Sequence, residues 1–150
     1  MRFIAKYLFI ILCLLIISCN KTKQTQEEQT KTEYKNALYT SEELQQKAED
    51  NQEFAKSKEY ADQMQKVKIE MSKQTSIMNE NEKLLLEFEV SLKKLKEFTT
   101  QIKENPGLSK DGVFMKRVLA RADKVREYQQ SLKKLNLNPI EKKKFQELCH

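Results

Sequence analysis

The sequence predicts an all-α protein: a small helical bundle of three main helices plus a short C-terminal helix, on a disordered N-terminal tether. Three observations predict it. The 150 residues include only two glycines and two prolines, too few for the turns and close backbone approaches of sandwiches, barrels and Gly-rich nucleotide folds. Charged residues make up 33% of the chain and hydrophobic ones 39%, and fifteen of the latter fall among the first 18 positions, which leaves a thin core. Beyond Leu44, apolar residues (Ala48, Ala55, Met64, Val67, Met71, Met78, Leu85, Phe88, Leu92, Leu95 and Ile102) recur at steps that favour a helical seam over a strand.

The first element is an export signal. Arg2 and Lys6 precede an uninterrupted apolar run from Tyr7 to Ile17. A charged start and a short apolar stretch make a secretory leader, and the run is well short of the ~20 residues that span a bilayer. It ends in Leu15-Ile16-Ile17-Ser18-Cys19. This resembles a bacterial lipoprotein box, and the resemblance implies cleavage after Ser18 and a diacylglycerol thioether on Cys19. The amine so freed is then open to acylation, for example by palmitate. Cys13 is no rival, because bulky Leu12 precedes it. The chain therefore divides into a signal peptide (1–18), a lipidated cysteine with its tether (19–39) and a helical bundle domain (40–150).

Residues 20–36 hold one aromatic and no aliphatic side chain apart from the lysine stems. Burial there cannot offset the entropy of ordering, so the tether is expected to be disordered. Thr40-Ser41-Glu42-Glu43 reads as a capping box that opens the first helix. One helix from 41 to 104 would run about 96 Å, far beyond the reach of its partners, so a break is expected near Asn79, where Asn79 and Glu82 form a second cap pair. The helices expected are 41–77, 80–104 and 110–136. Asn105-Pro106-Gly107 separates the last two, and Ser109 or Asp111 caps the third. Asn138, Pro139 and Glu141 open the short terminal helix.

Few residues suit catalysis. His150, the sole histidine, is the last residue, and Cys149 is the one thiol left after cleavage at a lipidated Cys19. No phosphate-binding loop and no metal-ligand spacing occurs. The expectation is a protein that is not an enzyme and uses no cofactor or metal. Charge is more informative. Residues 20–104 carry 15 Lys against 17 Asp or Glu, whereas 105–150 carry 11 Lys or Arg against 5 acids. Arg117, Arg121 and Lys124, at i, i+4 and i+7, share a helix face that could meet an anionic ligand. Leu92–Glu97 also fits the loose x-B-B-x-B-x pattern proposed for glycosaminoglycans.

The lipobox, the Lys/Thr/Gln tether and the Lys- and Glu-rich body together resemble the small outer-surface lipoproteins of Lyme-disease-type spirochaetes. That resemblance implies an outer-membrane lipoprotein at the cell surface, held in the membrane by lipid on Cys19, with an interaction role towards a host or vector component. Asn20 is not the aspartate that retains many lipoproteins in an inner membrane, which points the same way. The expected partners are a host protein or a glycosaminoglycan rather than nucleic acid. The alternative is a periplasm-facing structural or accessory lipoprotein that contacts another envelope protein. The chain is expected to be monomeric, although Cys149 could link two copies.

Overall fold

A computed structural model describes the backbone from Arg2 onward and the side chains of residues 26–150. Every regular element is helical: α1 (Arg2–Asp50), α2 (Gln52–Ala55), α3 (Lys58–Thr75), α4 (Glu80–Glu104), a 3-10 turn (Pro106–Lys110), α5 (Gly112–Lys134) and α6 (Pro139–Leu148). The all-α expectation holds. Cys13 and Cys19 lie outside the residues whose side chains are described.

The tether expectation is corrected for residues 26–39. They belong to α1, and their side chains pack: Tyr34 is fully buried, and Thr30 and Ala37 are nearly so. Composition misled here because one aromatic and one alanine suffice when a neighbouring helix supplies the rest of the contact. Tyr34 donates its hydroxyl to Glu87 at 3.0 Å, Lys31 pairs with Glu82 at 2.7 Å, and Lys35 pairs with Glu89. Nor does a helix open at Thr40. Its hydroxyl donates to the Asn36 carbonyl one turn back, as a hydroxyl does inside a continuous helix.

The expected first helix, 41–77, is instead a hairpin. Asn51 accepts from the backbone N–H groups of Glu53 and Phe54, ending α1 and capping α2, and Ser57 caps α3 through Tyr60. Phe54 pins this elbow. It is buried, lies edge-on to Tyr60 at 5.5 Å and sits beneath the Lys47 ammonium at 4.2 Å. The return of α3 along α1 brings Gln74 to Glu33, at 2.5 Å.

The remaining boundaries fall where expected. Asn79 and Glu82 form a complete capping box, as do Asn138 and Glu141. Asp111 caps α5 through Val113 and Phe114. The pairs 31–82, 34–87 and 35–89 run α1 and α4 in parallel, while Phe98–Phe114 and Leu85–Leu132 run α5 back against α4. Buried Leu85, Phe88 and Leu132 form the centre of the core, with Leu84, Val125, Tyr128, Phe145 and Leu148 around it. Among the described residues no helix is long and apolar enough to cross a membrane.

Candidate functional site

α1, α4 and α5 do not close completely on one another. Between them lies an open cleft of about 420 Å³, its α5 wall built from Val113, Lys116, Arg117, Ala120, Arg121 and Lys124. The α1 wall presents Glu42 and Glu49, and Lys94 and Phe98 of α4 form the floor. Five cations therefore face two carboxylates. The α5 spacing follows from helix geometry, since i, i+4 and i+7 point the same way. Asp111 fixes where α5 begins and so where that face points.

All three residues singled out in the sequence line this cleft, but they are not equivalent. Arg117 is committed to α1, with Nε at 3.1 Å from Glu49 and Nη2 at 2.5 Å from Asp50. Arg121 reaches Glu42 at 2.5 Å and the Ser91 hydroxyl at 3.5 Å. The Arg121 side chain is 18% exposed and that of Glu42 10%, so the pair acts as a strut between helices. Both arginines of the expected anionic-ligand face are thus paired with acids of α1. Lys124 remains exposed, its ammonium 5.7 Å from the Tyr128 ring centre. Lys116 is exposed beside it, and neither lysine forms an ion pair among the described residues.

Sequence reasoning missed Lys116, which sits next to Arg117 on the rim, and missed both acids of the opposite wall. The x-B-B-x-B-x pattern at 92–97 also does not survive as a surface unit. Lys94 is 9% exposed, turned inward between Glu43 and Glu97 at 3.7 and 3.2 Å, with its ammonium 5.5 Å from the Tyr39 ring.

Glu42 has a further peculiarity. Its Oε1 receives Arg121, whereas Oε2 is buried with no donor among the described residues. A buried carboxylate oxygen favours a donor, so this corner of the cleft suits a bound hydroxyl or water. The lining contains no His, Cys, Ser or Asp, and among the described residues no three His, Cys, Asp or Glu side chains converge as metal ligands. The arrangement can hold an anionic group electrostatically against Val113 and Ala120. Cys149 stands apart at the end of α6, exposed, its sulfur accepting from Gln129 at 3.6 Å.

No protein-family model, curated protein or solved structure matches this chain.

Proposed function

We propose that this protein is a lipid-anchored lipoprotein of the outer membrane whose helical body is a non-catalytic interaction module, directed towards an anionic host or vector component. The observation that carries the contact is the rim of the cleft, where Lys116 and Lys124 are exposed and form no ion pair among the described residues. The anchorage rests on the box that ends in Ser18-Cys19. Acids on α1 neutralise the two arginines, so recognition falls to Lys116 and Lys124 on the rim, with exposed Val113 offering apolar contact. Two lysines give a modest, salt-sensitive attraction that speeds encounter, screened over about 8 Å at physiological ionic strength.

Heparin serves as a probe of sulfated-glycan binding. Reversing Lys116 and Lys124 to Glu lowers its affinity at least tenfold and leaves the helical spectrum unchanged, because both side chains are solvent-facing. Reversing Lys56 and Lys58, exposed on the elbow and outside the cleft lining, has less than a threefold effect. Equal losses from both pairs, or no binding at low salt, would overturn the assignment to the cleft.

A further inference from the structure

The end of the bundle nearest Cys19 carries an unusual surface. Contacts define that end: Lys31 of α1 meets Glu82, Glu82 closes the cap on Asn79, and Asn79 and Asn81 both donate to Glu141 of α6 at 3.2 Å. Here the elbow between α5 and α6 exposes Ile140 at 82% and Leu135 at 41%, and Ile77 stands at the neighbouring α3–α4 junction at 65%. Lys133, Lys134, Lys142 and Lys143 surround the elbow, all exposed. Glu141, the single acid in that stretch, is buried and held by the two asparagines. Folding thus buries the one acid between Lys133 and Lys143 and leaves four exposed lysines around apolar knobs, of which Lys143 lies 3.9 Å from Glu147, while Glu80 and Glu27 remain exposed elsewhere at this end.

We infer that this basal elbow docks on an anionic lipid surface, the leaflet into which Cys19 is anchored. The inference rests on the proposed anchorage at Cys19 and adds a second contact to it. Only six residues separate Cys19 from Gln26, a span of at most about 24 Å even fully extended. The elbow is therefore confined near the bilayer at an effective concentration in the millimolar range, and a weak affinity keeps it engaged. Lysines beside an anionic leaflet contribute about fivefold each to partitioning, and exposed isoleucines enter the headgroup boundary. Docking holds α1 upright, with Glu49 and the upper mouth of the cleft about 35 Å from the base, facing away from the membrane.

The chain contains no tryptophan, so Ile140→Trp and Lys110→Trp each install a single reporter, one at the base and one at the exposed far end. Protein purified from its membrane is reconstituted in vesicles of phosphatidylcholine and phosphatidylglycerol with brominated acyl chains. Fluorescence at 140 is quenched several-fold more than at 110, and the difference shrinks in phosphatidylcholine alone or after Lys142→Glu with Lys143→Glu. Equal quenching at both sites, or a difference that ignores lipid charge and the reversal, overturns the docking. So does a dimer that shields the 140 reporter. Ile77→Trp repeats the test from α3–α4 if the first variant misfolds. The mass of the N-terminal peptide reads the anchor separately. An unlipidated chain still quenched at 140 keeps the docking and removes the anchor, and a lipidated chain unquenched there does the reverse.

Discussion

Two partly buried polar groups fix the geometry of the α1–α4–α5 centre. Arg121 and Glu42 form a pair with little solvent around it, and removing one partner leaves the other charge poorly hydrated. Arg121→Ala is therefore expected to cost about 2 kcal/mol in urea unfolding, below the range for a fully buried pair because each side chain keeps some exposure. Arg126→Ala, whose pair with Asp123 is about two-thirds exposed on both sides, should change stability by under about 0.5 kcal/mol. Equal costs would show that the strut contributes nothing special. The phenols of Tyr34 and Tyr128 are both pushed well above the usual range, chiefly by burial and next by the Glu87 carboxylate between them. Because the folded state keeps these hydroxyls protonated, the stability they supply is complete below about pH 10 and is lost as the pH rises above it. Urea midpoints should fall steeply there, and Tyr34→Phe should flatten the fall while costing about 1 kcal/mol at neutral pH. At the acid end, burial pushes the Glu89 carboxyl upward, but hydrogen bonds from Lys35 and Lys144 outweigh it and hold the group low. That contribution is present above about pH 4 and disappears as the pH falls through the lowered folded value.

Helix boundaries divide into those a local reading can find and those it cannot. The caps at Asn79, Asp111 and Asn138 were legible because a cap needs only a side chain and the three residues after it. The Asn51–Ser57 elbow was not, since it contains neither Gly nor Pro and its stability comes from Phe54 packing under Lys47 and against Tyr60. The first turns of the packed part of α1 were missed for a related reason. Polar composition predicts disorder only when no partner is near, and Tyr34, Lys31 and Lys35 find theirs on α4, more than fifty positions away. Likewise the Arg117–Arg121–Lys124 face was legible from spacing, whereas the α1 acids that claim its arginines were not. Hydrogen exchange tests this difference. Amides of residues 34–38 should exchange with protection close to that of Leu85 and Leu86; exchange as fast as in an unfolded peptide would restore the tether and remove the α1–α4 packing. Asn51→Ala should cost about 1 kcal/mol through loss of the elbow cap.

On the scale of the molecule, charge is separated along the bundle rather than between two halves of the sequence. The basic C-terminal third does not stand apart from the balanced first part, because α5 exchanges ion pairs with α1 across the cleft. What remains unbalanced is the rim at Lys116 and Lys124 and the basal elbow at 133–143. Cys149 is exposed at the end of α6, so non-reducing electrophoresis of protein from intact cells should reveal any covalent pair; a monomer band alone excludes that link. In the proposed function the lipid-anchored body lies outside the cell. Protease added to intact cells tests this most directly: the account predicts that the protein is degraded while the outer membrane is still sealed, and protection until that membrane is opened would contradict it.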